Sequence, residues 1–314
     1  MREAMFEAEV GDDVYGEDPT VSSLEARAAE MLGKQAGLFV ASGTQSNLVA
    51  LLTHCGRGDE YIAGATAHTY QLEGGGGAAL GGIQPQTLPF EPDGSLDLDA
   101  VEALVKPANV HYAKTRLICL ENTQDGRPTG PDYFGRAHEV ALRHDLKLHL
   151  DGARYWNAVI ATGCEPTAIA EHCDSLSICL SKGLGAPVGS LLVGSAEFIE
   201  RARRWRKMVG GGMRQAGVIA AAGLYALTHH IERLAEDHEK AAAIAATVNA
   251  RFPGAAAAHT NMVFVQLPDA EIQHLIAHFS QHRIRIRGSR WVTHLDVGFD
   301  QLGRIERALE THRR

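Results

Sequence analysis

Two charged residues at the ends of apolar runs open the chemical reading. LKLHLDGAR places Asp151 at the end of one such run, and SICLSKG places Lys182 just beyond the next. In open α/β sheets, ligands sit outside the carboxyl ends of the strands, so both side chains can reach one crevice. An amine and a carboxylate so placed suit an aldehyde cofactor such as pyridoxal phosphate. The amine bonds the aldehyde, and the carboxylate keeps the pyridine nitrogen protonated so that the ring can accept electrons. Singly, such an Asp and such a Lys are ordinary strand-end and loop residues. Ser42-Gly43-Thr44, at a strand-to-helix turn, joins them. Free backbone N–H groups and the helix dipole attract phosphate there, and Gly43 permits close approach, although Ser-Gly-Thr is also an ordinary helix start. Neither G-x-x-x-x-G-K-[ST] after a strand nor G-x-G-x-x-G occurs, which weakens nucleotide readings.

These residues need a scaffold, and the hydrophobic pattern supplies one. After Pro19 the segment TVSSLEARAAEML has helical spacing, AGLFVA reads as a strand, and a second helical pattern follows the Gly turn. RLICLE (116–121), LKLHLD (146–151), DSLSICL (174–180) and GSLLVG (189–194) are continuous apolar runs of strand length. Helical stretches such as YFGRAHEVALRHD lie between several of them, so a mostly parallel sheet covered by helices is expected. Composition changes near residue 228. Beyond it come an Ala-rich helix (about 230–250), MVFVQL, a helix over 270–282, two short strands (IRIR and WVTHLDV) and a terminal helix. The expected division is a large domain, 1–228, and a smaller α+β domain, 229–314.

The chain has 314 residues, 45% hydrophobic and 22% charged, a soluble globular composition with length enough for a sizeable core. Thirty Lys+Arg against 38 Asp+Glu give −8, which argues against nucleic acid or an anionic membrane as partner and for a small molecule. The longest nearly apolar stretch, 216–227, is shorter than the roughly 18 residues of a membrane span. The opening MREAMFEAEVGDD has no apolar secretory core. Five cysteines without a C-x-x-C pair indicate reduced thiols in a cytoplasmic protein, with no disulfide framework and no metal site.

SGTQSNLVALLTHC, AHTYQLEGGG, LENTQDGRP, LHLDGAR, SICLSKGLGAPVGSLLVG, RWRKMVGGGMRQAG and VTHLDV together resemble the low-specificity L-threonine aldolases. Those enzymes have the aspartate-aminotransferase (type I) pyridoxal-phosphate fold. The likeness extends over nearly the whole chain, and SICLSKGLGAPVGS with RWRKMVGGGMRQ is its most specific part. It implies pyridoxal 5'-phosphate as cofactor and cleavage of L-threonine and L-allo-threonine to glycine and acetaldehyde. Lys182 would be the Schiff-base lysine and Asp151 the partner of the pyridine nitrogen, with Ser42, Gly43 and Thr44 at the phosphate. His68 matches a histidine that stacks on the ring and His111 one near the substrate hydroxyl, either of them a possible base. Arg154 and Arg290 match arginines that hold cofactor or substrate oxygens, a task suited to a guanidinium fork. Lys207 and Arg214 match basic residues that reach a phosphate across a subunit boundary, and a homo-oligomer, by resemblance a tetramer, is implied.

Members of the family open with a segment resembling D-x-R-S-D-T-V-T, whose serine helps hold the substrate carboxylate. This sequence opens at MREAMF and does not contain it. Without the resemblance, most of the 16 histidines would read as surface or satisfied core residues. Arg203, Arg204, Arg206 and Lys207 would read as a solvated basic helix face. Glu73 and Glu121 are left as site carboxylates or loop-end acids, and Cys179 reads as core. The rival functions are a β-eliminating lyase or racemase on the same fold, and a shortened cofactor-binding protein with a structural or regulatory role.

Overall fold

The computed structural model describes residues 1–312. Seven strands form the main sheet: β1 (Ala36–Val40), β2 (Asp59–Gly64), β3 (Gln84–Leu88), β4 (Lys114–Glu121), β5 (Lys147–Gly152), β6 (Ser175–Cys179) and β7 (Ser190–Gly194). Their order is β1-β7-β6-β5-β4-β2-β3. Neighbours pair in parallel from β6 across to β3, while β7 is antiparallel to both β1 and β6. Every residue of β6 and β7, and all but the first of β5, is buried. Helices therefore cover both faces, and this is why these strands carry continuous apolar runs instead of alternating ones.

Local sequence explains the helices that position the site. Ser42 caps the helix Gly43–His54 by accepting the Gln45 N–H at 3.1 Å. Asp18 caps Pro19–Met31 through the N–H groups of Thr20 and Val21, with Pro at the first helical position. The helix Pro131–Arg143 turns Tyr133, Phe134, Ala137, Val140 and Ala141 inward at helical spacing.

A second apolar cluster gathers around Val248, Phe252, Val263, Leu275, Phe279 and Trp291. Its sheet is antiparallel, β10-β9-β8, with β8 (Ala256–His259), β9 (Met262–Val265) and β10 (Arg290–Val292). The helix Leu234–Arg251 starts with Leu234 in the main core and continues into this cluster. Two expectations need correction. IRIR forms no strand: Ile284 and Ile286 pack on the small core without pairing. Of WVTHLDV only Trp291 and Val292 are in a strand. β2 and β3 were not foreseen; QPQTL in β3 is largely polar and lies at the sheet edge.

Gly152 lets β5 and β6 close behind Asp151. A Cβ there would stand 2.6 Å from the Ser177 carbonyl oxygen and 3.1 Å from the Tyr155 Cβ. Because the nearer atom is backbone, Gly152→Ala should cost about 1–3 kcal/mol, read by urea unfolding. Unchanged stability would show that the strands can part at no cost.

Candidate active site

The carboxyl edge of the sheet gathers the chemistry in strand order. At the β1 end, the N–H groups of Gly43 and Thr44 have no partner within their own helix, since they open it. Ser190, first residue of β7, lies beside them: a Cβ on Gly43 would stand 3.7 Å from its Oγ. That Oγ is buried and has no hydrogen-bond partner. A buried orphan hydroxyl next to two unspent N–H groups needs an acceptor-rich group to complete it.

The glycine-rich segment after the helix Ala196–Met208 packs onto this corner within its own chain. A Cβ on Gly211 would meet the Gln45 side chain at 2.3 Å, and Lys207 folds over Gly212. Arg214 is committed to Asp12, at 2.5 Å, and sits over the Tyr15 ring. The expected solvated basic face is broken by Arg206, which is buried, donating to the Phe39 carbonyl at 2.7 Å and to Asp13 at 3.0 Å. It ties the N-terminal segment to β1.

At the β5 end, Asp151 is 3% exposed. Its Oδ1 accepts the Ala153 N–H at 3.0 Å and its Oδ2 accepts Asn47 Nδ2 at 2.8 Å. The same Nδ2 donates to Glu73 Oε1 at 2.8 Å, which also meets His68 Nδ1 at 2.8 Å. Glu121, opposite Asp151 in the β4–β5 register, accepts the His68 N–H at 3.0 Å. The Glu73 hydrogen bond pulls His68 above the usual histidine range. Burial, then the charge of Asp151, pushes Glu121 up to about 7, and burial raises Glu73. Ligand atoms of His68, Glu73 and Asp151 lie within 4.8 Å of one another. A cation could be imagined among them, but the Asn47 amide already stands between the two carboxylates and donates to both.

Lys182 is exposed on the turn between β6 and β7; its carbonyl accepts the Gly185 N–H at 2.9 Å, and its side chain makes no hydrogen bond or ion pair among the described residues. Its charge acts on both His68 and Glu121, which puts it over the same crevice. Arg154, at the start of the helix Tyr155–Thr162, has a sealed Nε with no acceptor. Burial, followed by the charge of Arg290, lowers it to about 10. Two guanidiniums that face each other with donors to spare form a seat for a carboxylate. Arg290 itself has only Asp125, at 3.9 Å.

His111 is not brought to this site by its own chain. It is exposed three residues ahead of β4, whereas Glu121 ends that strand, and a strand of eight residues spans roughly 25 Å. Asn47, His149 and Ser190 were missed by the sequence reading. For His149 a signal existed: in LHLD it alternates with Asp151, so both face the same side of β5.

Fold and site together define a lyase of the aspartate-aminotransferase, or type I pyridoxal-phosphate, fold. Residues 1–270 match the family described as beta-eliminating lyase. The chain is 50% identical over 308 residues to the low specificity L-threonine aldolase of Escherichia coli (strain K12), covering 97% of this chain and 92% of that one. It is 48% identical over 279 residues to low-specificity L-threonine aldolase 1 of Arabidopsis thaliana, covering 86% and 78%. The solved structure of Leishmania major threonine aldolase aligns with a TM-score of 0.82 at 21% identity, covering 97% and 92%. The chain belongs to the beta-eliminating lyase family, among its low-specificity L-threonine aldolases.

Because the folded Glu121 holds its proton up to about pH 7, against about 4.5 ordinarily, the native state binds more protons than the unfolded chain in that window. Stability contributed by this group therefore falls as pH rises from about 4.5 to about 7. Glu121→Gln should melt about 2–4 °C above wild type at alkaline pH and converge with it in acid. Parallel melting curves across the range would refute the assignment.

Proposed function

We propose that this chain cleaves L-threonine and L-allo-threonine to glycine and acetaldehyde, using pyridoxal 5'-phosphate. The observation that carries the reading is the order of groups along one sheet edge. The orphan Ser190 Oγ and the free N–H groups of Gly43 and Thr44 come first, then Lys182, then the buried Asp151. A phosphate, an aldehyde and a protonated ring nitrogen find their partners there in that sequence, so the residues fit the cofactor. Bound, it supplies a sink for the electron pair released when the Cα–Cβ bond breaks.

The chain's own residues do the rest. Lys182 would hold the cofactor aldehyde through its amine. Asp151, whose two oxygens accept from Ala153 and Asn47, would be the partner of the ring nitrogen. Arg154 and Arg290 grip the substrate carboxylate and fix the orientation of the bond to be broken. His68 is the base: Glu73 accepts a hydrogen bond from Nδ1–H, which leaves the Nε2 lone pair for the substrate hydroxyl, and the same carboxylate stabilises the imidazolium that results. Cα then takes up a proton to leave glycine.

His111 lies between exposed Val110 and Tyr112, so a role for it at a site would need a second copy, in keeping with a homo-oligomer, by family a tetramer. Lys207 and Arg214 remain candidates for phosphate contacts from such a neighbour. The two-unit division, 1–228 and 229–314, is proposed with it. No described helix is long and apolar enough to cross a membrane, in keeping with the cytoplasmic setting that the reduced cysteines suggest.

Wild type with added cofactor should release acetaldehyde from L-threonine. Borohydride should fix the cofactor mass to the Lys182 peptide, and Lys182→Ala should lose both by at least about a thousandfold. Ammonia from L-serine without acetaldehyde would move the protein to β-elimination, and label at another lysine would displace Lys182.

A further inference from the structure

Behind Asp151 a line of buried polar side chains runs into the core, and its hydrogen bonds allow one direction only. Asn47 is 1% exposed and spends both amide protons, one on Asp151 and one on Glu73. Its Oδ1 must then face away, and it lies 3.3 Å from His149 Nε2. An amide oxygen can only accept, so Nε2 carries the His149 proton. His149 Nδ1 is therefore an acceptor, and Ser175 Oγ stands 2.8 Å from it. With its own proton given to Nδ1, Ser175 Oγ accepts from His54 Nε2 at 2.7 Å.

The fold sets this line up with few parts. Asn47 and His54 are seven residues apart on the helix Gly43–His54, two turns along one face. His149 and Asp151 share a face of β5, and Ser175 is the register partner of His149 on β6. His149 and Ser175 are fully buried. Burial holds both histidines near 3, far below their ordinary value, so each is neutral with a single ring proton. All the protons along the line point toward the carboxylates.

We propose that Asn47 is a positioning residue for Asp151, and that His149, Ser175 and His54 fix which way its amide faces. The proposal rests on the functional reading above, in which Asp151 meets a ring nitrogen. The need is physical. An Asn47 amide turned by half a rotation would press its oxygen against Asp151 and Glu73 and leave two buried carboxylates without a shared donor. Nothing in Asn47 itself forbids that rotation, because its oxygen and nitrogen have nearly the same size. Turning it would require the whole line to reverse with it, His149 and His54 changing tautomer and the Ser175 hydroxyl swinging round. Hydrogen bonds aligned in this way also polarise one another, so the end donor is stronger than an isolated amide.

Ser175 has no contact with Asp151 or with the crevice, which makes Ser175→Ala the sharpest test. Its readout is the dissociation constant of pyridoxal phosphate, compared with that of an analogue carrying carbon in place of the ring nitrogen. Ser175→Ala should weaken pyridoxal phosphate about three- to tenfold, the worth of one ordinary hydrogen bond, and leave the analogue unchanged. In turnover, kcat should fall with little change in KM for L-threonine. Asn47→Leu, similar in volume but without donors, should repeat the pattern with a larger loss. Equal weakening of both ligands would assign the line a structural role and overturn the proposal, as would no weakening of either. Wild type that binds neither ligand would fail the functional reading itself and take this proposal with it.

Discussion

Three carboxylates, those of Asp151, Glu73 and Glu121, share one crevice, and water is mostly excluded from it. Like charges so close cannot all be ionised cheaply, and the molecule answers in two ways. Glu121 keeps its proton to about neutrality, relieved of the need to ionise beside Asp151. Glu73 is bridged to Asp151 by the Asn47 amide and to solvent-facing His68 by a second hydrogen bond. Asp151 is held between the Ala153 N–H and the Asn47 amide, at the end of a strand that is buried on both faces.

That arrangement asks for rigidity behind the site and tolerance in front of it. Behind Asp151 lie Gly152, with no room for a side chain, and the His149 and Ser175 pair, locked in register. In front, Lys182 and Arg290 are exposed and His68 is half-exposed. Binding energy can therefore be spent on orienting the exposed groups, while the hydrogen bonds behind Asp151 are in place before a ligand arrives.

Most of the fold was legible in the sequence, and so was the placing of Asp151 and Lys182 at one edge of the sheet. The four runs ending near Glu121, Asp151, Leu180 and Gly194 appear as β4 to β7, because strands buried on both faces are rich in apolar side chains, and the polar ones they do carry, His149, Asp151 and Ser175, are each hydrogen-bonded. Ser42-Gly43-Thr44 announced a helix start for equally local reasons. What was not legible depends on tertiary pairing. IRIR has strand composition, yet Ile284 and Ile286 pack on the small core without joining either edge of its sheet. Arg206 looked like one more exposed basic residue, and only its meeting with Asp13, far off in the chain, buries it. Asn47 and Ser190 carry no signal of type or spacing, since each gains its meaning from a residue more than a hundred positions away.

The reversed direction of β7 has a further effect on how a ligand arrives. Along the working edge, six strands present their carboxyl ends and one presents its amino end. Acids collect at β4 and β5, while the helix start and the opening residue of β7 offer donors. The edge is thus sorted by sign over two strand spacings, roughly 10 Å. A small molecule with a negative head and a proton-donating far end therefore meets backbone donors at one end of the edge and carboxylates at the other, so the two ends of the crevice are not interchangeable.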